Sequence, residues 1–249
     1  MSATATLLEF APDGGVPSSR LPGWFWDAWN RTLSSVRTHP AVFFPLIQFR
    51  MLAPGAPQWN LVTGDTELVI EGYWRSGNTY AARAFETAQD RPVRIAFHTH
   101  AAATVRKGVR LNRPVLVLAR HPLDAASGRM FLAPRLSLEH ALREYIRFYQ
   151  AIEPLAAGYV RATFEQVTAD YGAVIARVND RFGTAFRLPG RPGHALSDVP
   201  QSPTCRLPRL ASICQERVAE VRERLRARMR NSSLLQTAER VYQAFSVNA

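Results

Sequence analysis

The sequence predicts an α/β protein with a central, mainly parallel sheet flanked by helices. Three observations carry this. Short apolar runs (Leu68-Val69-Ile70, Val93 to Phe97, Val115 to Ala119, Tyr159 to Phe164) alternate with segments of helical length and pattern. The first run passes through a glycine-bearing turn directly into a helix opening, Glu71 to Tyr80. At 249 residues the chain is long enough for one sizeable core, so a single domain over 1–249 is expected.

Residues 1–60 form an irregular, partly helical N-terminal part with Trp24, Phe25, Trp26, Trp29, Phe43, Phe44 and Trp59. Two readings stay open for these aromatics, core packing or a wall of an acceptor pocket. From Glu67 the order is strand, helix from Thr79 to Ala88, strand from Val93 to Phe97, strand from Val115 to Ala119, and a helix from Asp124. Ser137 to Ile152 carries Leu138, Leu142, Tyr145, Tyr149 and Ile152 at helical spacing, ending near Pro154. Tyr159 to Phe164 is a strand, and Asp170 to Phe182 a helix with Val174, Ile175, Val178 and Phe182 inward and Gly183 as its stop. Residues 66–183 are expected to be the cofactor-binding core. The segment 184–208, rich in proline and glycine, is expected as a mobile loop or lid. Helices follow over 210–249; in the first, Leu210 to Arg230, five arginines surround an apolar stripe, either as a solvated face or as a dock for an acidic surface.

Formal charge is +11 and the isoelectric point about 10.7, carried by arginine, since Lys107 is the only lysine. Such a field draws in anions by steering. No zinc-finger or RNA-binding signature accompanies it, so nucleic acid is not the expected partner. Cys205 and Cys214 are too few for a disulfide framework and lack metal spacing. Residues 1–8 lack the basic start and long apolar core of a signal peptide, and the apolar stretch 40–52 is interrupted by Gln48 and Arg50. A soluble, cytoplasmic protein without stable membrane insertion is expected.

The chemistry concentrates at the first turn. Amides at a helix N-terminus, reached over Gly72 and Gly77, hold a phosphate or sulfate without a metal, and Arg75, Ser76 and Thr79 add side-chain donors. The spacing fits the Walker A pattern, except that Asn78 stands where an NTPase needs lysine. The strand 115–119 ends in Arg120-His121-Pro122, with no carboxylate to hold magnesium. Both departures disfavour a P-loop kinase or ATPase.

Arg75-Ser76-Gly77-Asn78-Thr79-Tyr80 resembles the 5′-phosphosulfate loop of sulfotransferases that use 3′-phosphoadenosine 5′-phosphosulfate (PAPS), with Asn78 for the first threonine. Arg120 to Ser127 resembles that family's 3′-phosphate segment, although the serine comes one residue early and Gly128 stands in its usual place. Phe97-His98-Thr99-His100 is similar to the Lys-Thr-His element, and Thr163 to Val167 to the segment near adenine. The resemblance spans about 66–183 and implies a P-loop-like sulfotransferase fold of the bacterial cytosolic type. It implies PAPS as cofactor, with 3′,5′-adenosine bisphosphate (PAP) as product, no metal, and a small-molecule, glycan or lipid hydroxyl as acceptor. Arg75, Ser76, Gly77, Asn78 and Thr79 then hold the 5′ end, Arg120 and Ser127 the 3′-phosphate, and Tyr80 and Phe164 flank adenine. His100 becomes the general base and Arg75 the cation at the leaving phosphate. An extended segment puts His98 on the same face as His100, so either histidine can be the base.

Several points stay open. A zinc site is the other reading of the histidine pair, with no third ligand at metal spacing. Arg106, Lys107, Arg110 and Arg113 form either an acceptor-binding loop or a solvated turn. The family's late Arg-Lys-Gly segment has no copy, leaving Arg187, Arg191, Arg206 and Arg209 as candidates for completing the 3′-phosphate pocket. A non-catalytic binder of a nucleotide or polyanion is the alternative to an enzyme.

Overall fold

The computed structural model describes residues 32–55, 59–133, 136–190, 223–225, 227, 232–247 and 249. Among these, four strands form one sheet in the order β2-β1-β3-β4, with every pair parallel: β1 Leu68–Gly72, β2 Ile95–Phe97, β3 Val115–Ala119 and β4 Val160–Thr163. The helices are α1 Pro40–Met51, α2 Asn78–Ala88, α3 Ala102–Arg110, α4 Pro122–Leu132, α5 Leu138–Ile152, α6 Phe164–Ala169, α7 Tyr171–Phe182 and α8 Ser233–Ser246, with a 3-10 turn at Glu153–Gly158. The expectation of an α/β architecture with a parallel sheet between helices therefore holds.

The strands read as continuous apolar runs because both faces are covered. Leu68, Ile70, Leu116, Leu118, Val160 and Ala162 point to one side, where Ala81, Ala82 and Phe85 of α2 and Val174, Ile175 and Val178 of α7 meet them. Val69, Val115, Val117 and Ala119 point to the other, against Val105 of α3, Leu123 of α4, Leu142 and Tyr145 of α5 and Phe245 of α8. Capping side chains fix the helix starts. Ser137 accepts from His140 N ahead of α5, Asp170 from Ala173 N ahead of α7, and Ser232 from Leu235 N ahead of α8. Gly183, at φ 64°, ends α7.

Two sequence expectations need correction. β2 begins at Ile95 and not at Val93, because the Arg94 amide donates to the Glu67 carboxylate (3.2 Å). Of the basic stretch after His100, Arg106, Lys107 and Arg110 stand on a helix, and only Arg113 lies beyond it, just past the turn that follows. That helix is α3, whose small residues Ala102, Ala103 and Thr104 are buried, while Arg106 donates to Thr38 O (3.0 Å) and the Lys107 ammonium lies 4.0 Å over the Phe44 ring. In α1, Phe43 and Phe44 are core residues; Trp24, Phe25, Trp26 and Trp29 lie outside the described residues. So do most of 184–208, Cys205 and Cys214, and most of the helix expected over Leu210 to Arg230. No helix among the described residues is long and apolar enough to cross a membrane.

Gly72 of β1 leaves no room for a side chain against β3. A Cβ there falls 2.3 Å from Leu118 O and 2.9 Å from Asn78 Oδ1. Backbone cannot yield as a side chain tip can, so Gly72→Ala is expected to cost about 3 kcal/mol, the upper part of the overpacking range. A urea midpoint equal to that of the unsubstituted protein contradicts this close approach.

Candidate functional site

All four strands end at one edge of the sheet, and a parallel sheet places its ligand crevice there, where successive strands lead to opposite sides. β1 is followed in sequence by β2 on one flank, while β3 lies on the other. The segments after the strands therefore line up in the order His98 to His100, Tyr73 to Gly77, Arg120 with His121, and Phe164.

The turn after β1 is a helix N-terminus. Gly77, at φ 94°, is the N-cap of α2, and the first i→i−4 bond runs from Ala81 N to Gly77 O (2.9 Å). The amides of Gly77, Asn78, Thr79 and Tyr80 precede that bond, so helix geometry leaves them for a ligand, backed by the positive end of the dipole. Arg75 and Thr79 are exposed beside them. Arg75 itself adopts φ 63°. Its side chain crosses Gly128 of α4: a Cβ on that glycine falls 2.9 Å from Arg75 Cγ and 3.2 Å from its Nε. This gives Gly128 a physical role in place of the expected serine.

Arg120 is held by register. Ala119 pairs with Thr163, so the residues that follow meet: the Arg120 guanidinium lies 4.1 Å over the Phe164 ring and donates to Arg75 O (3.4 Å). Phe164 is fixed in turn by a capping box in which Thr163 Oγ1 accepts from Gln166 N and Thr163 N donates to the Gln166 side chain (2.9 Å). Phe164 also sits over the turn, 2.9 Å from where a Gly77 Cβ would be.

The three remaining polar residues of the turn region face inward. Ser76 is fully buried, with its amide on Tyr73 O (3.2 Å) and its hydroxyl 3.4 Å from Tyr149 Oη. Ser127 is buried and donates to Asp124 O (3.2 Å), a bond internal to α4. Asn78 contributes its amide to the cradle but turns its side chain in. There Nδ2 donates to Gly72 O (2.9 Å) and lies 3.0 Å from His100 Nδ1, while Oδ1 is a buried acceptor with no hydrogen-bond partner among the described residues. Tyr80 packs, partly buried, against the core beneath α2.

After β2 the chain is not extended, as the sequence suggested, but left-handed at both histidines: φ is 70° at His98 and 50° at His100. Non-glycine residues in this region carry strain and gather at functional sites. The outcome still brings the rings together, 4.9 Å between centroids. His98 is half-buried with Nδ1 3.3 Å from Thr79 Oγ1. His100 is 7% exposed and stacks on Trp74 at 4.1 Å. Burial, and secondarily the neighbouring His98, hold its pKa well below the usual 6.5, so it is neutral at physiological pH. In the tautomer with the proton on Nδ1, that proton is donated to Gly72 O (3.2 Å) and the Nε2 lone pair is left available.

Sequence reasoning missed the group that holds this turn. Glu71, fully buried at the end of β1, accepts from Thr99 N (2.8 Å), Thr99 Oγ1 (2.7 Å), His100 N (3.1 Å) and Gly72 N (3.4 Å). Burial pushes its carboxyl up to about 7 against those four bonds. The signal was available: a lone carboxylate closing an apolar strand must find donors if the strand is buried. Trp74 was also missed. It carries His100 on its ring and has the guanidinium groups of Arg129 at 4.0 Å and Arg37 at 5.1 Å. Burial lowers Arg37 to about 10, opposed by the Glu144 carboxylate.

Arg187 is not near this edge. It pairs with Asp90 beyond the far end of α2; Arg191, Arg206 and Arg209 lie outside the described residues. Among the described residues, no group of three His, Cys, Asp or Glu is placed to hold a metal ion. No family model matches the chain, and no curated protein matches it.

Proposed function

We propose that this chain is a cytoplasmic sulfotransferase with a P-loop-like fold, moving a sulfuryl group from PAPS to the hydroxyl of a small-molecule, glycan or lipid acceptor. One observation carries the reading. Arg75, Thr79, Arg120 and the His98–His100 pair come from three different strand ends yet share one edge, with Arg75, His98 and His100 all at positive φ. The residues present fit the cofactor: first-turn amides and Arg75 suit the 5′-phosphosulfate, Arg120 suits the 3′-phosphate, and Phe164 offers a ring beside them. PAPS supplies an activated sulfuryl group on a phosphate leaving group. Arg75 meets the charge that develops on that phosphate, and His100 takes the acceptor's proton. Arginine serves as cation only, since it stays protonated.

Calorimetric titration with PAP, with and without magnesium, tests this. Binding independent of magnesium is expected, weakened about tenfold to hundredfold or more by Arg120→Ala, the range for losing a charge-assisted contact. A protein that ignores PAP, or an Arg120→Ala protein that binds it unchanged, rules the cofactor out.

The burial of His100 and the inward Ser127 hydroxyl favour a second reading, a PAP-binding protein without turnover. PAP binding with no release of PAP from PAPS, in the unsubstituted protein, supports that reading instead.

A further inference from the structure

A cavity of about 240 Å³ lies between α5, β4 and α8, at the opposite end of β4 from Phe164. Its walls are aromatic and basic: the rings of Tyr149, Tyr159 and Phe245, the guanidinium groups of Arg161 and Arg240, and Glu153 on an exposed rim. The geometry points to a binding site for a small planar anion, an aryl carboxylate or aryl phosphate.

Size, charge and shape agree on this class. The volume equals about eight water molecules at liquid density, enough for one substituted ring and little more. Two cations face one carboxylate, so the cavity is net positive. Arg161 is pre-oriented, its guanidinium 5.5 Å from the Phe245 centroid and 5.8 Å from the Tyr159 centroid, with one nitrogen donating to Ala244 O (3.3 Å). A guanidinium fixed in this way retains donors in a fork that matches a carboxylate or phosphate, and its aromatic neighbours offer faces for a ring. Arg240, exposed at the mouth, has one nitrogen on Thr237 Oγ1 (2.9 Å). Amphipathic walls with a few fixed polar groups are what a ligand pocket needs.

One residue of its wall also reaches the edge described above. Tyr149, whose ring lines it and packs on Phe245 at 5.3 Å, sends its hydroxyl to Leu118 O (2.8 Å), 3.4 Å from both Tyr73 N and Ser76 Oγ. On the neighbouring face of α8, Tyr242 donates to Glu165 (3.3 Å) and rests on the His121 ring.

Benzoate and phenyl phosphate, titrated into the full chain by calorimetry with benzylamine as the cationic control, test the site. Saturable binding of both anions and none of benzylamine is expected. Arg161→Met, and separately Arg240→Met on the exposed rim, should each weaken binding about tenfold or more, while binding persists in Arg120→Ala. Binding lost in Arg120→Ala but kept in both methionine variants locates the anion at the strand-end turn and overturns the proposal. So does equal binding of benzylamine, or no binding at millimolar concentration. None of these outcomes depends on whether PAP binds.

Discussion

Replacing Glu71 by alanine is expected to destabilise the protein by about 4 kcal/mol and to release the turn that carries both histidines. The magnitude follows from what is left behind. Four buried donors, the amides of Gly72, Thr99 and His100 and the Thr99 hydroxyl, lose their acceptor, and each unsatisfied buried group costs about 1–3 kcal/mol before the structure relaxes. Urea unfolding measures it; a loss under 1 kcal/mol shows that the donors find other acceptors. A milder substitution, Glu71→Gln, separates charge from shape. Because burial raises the carboxyl from 4.5 to about 7, folding favours its protonated form, and the wild-type protein loses stability as pH rises through that window, by about 3 kcal/mol in all. Glutamine has no such slope. The stability gap between wild type and Glu71→Gln is therefore wider at pH 5 than at pH 8, and an equal gap at both means the carboxyl is not perturbed.

The fold was legible because its strands are buried on both faces, which writes them as uninterrupted runs: Val115 to Ala119 is β3 to the residue. Capped helices were legible for a similar reason, since Ser137 and Asp170 stand directly before α5 and α7. α3 was not, because its buried face is built mostly from small residues, with Val105 its one larger aliphatic, while its basic residues dominate the pattern. At the site, the sequence named the strand-end segments but not the direction of each side chain. Ser76, Asn78 and Ser127 are donors by type, yet contacts from Tyr149, Gly72 and Asp124 turn them inward. Tyr149 is far from Ser76 in the chain, and the contacts of Asn78 and Ser127 depend on the path of the turn and of the helix, which spacing alone does not encode. The alternation rule likewise assumed an extended backbone at His98 and His100, where Glu71 imposes a left-handed one through three bonds to Thr99 and His100.

His100→Ala is expected to lower the release of PAP from PAPS, with water as the acceptor, by about 10²–10⁴-fold while PAP affinity stays unchanged. The base role rests on a neutral imidazole, and burial keeps His100 neutral: its pKa lies well below 6.5, so the wild-type rate should stay level from pH 8 down to 6.5 and fall only in more acid solution. His98 enters through charge. Its ring is the second cause of the lowered value, so His98→Ala should raise the His100 pKa and carry the acid limb of the profile to higher pH, with a smaller loss of rate. The two variants thus part the roles that their proximity confuses. A His98→Ala protein that loses the 10²–10⁴-fold, beside a His100→Ala protein that keeps its rate, transfers the base to His98. Rates unchanged in both remove the general-base role from either histidine and leave Arg75 and the helix N-terminus to carry the turnover.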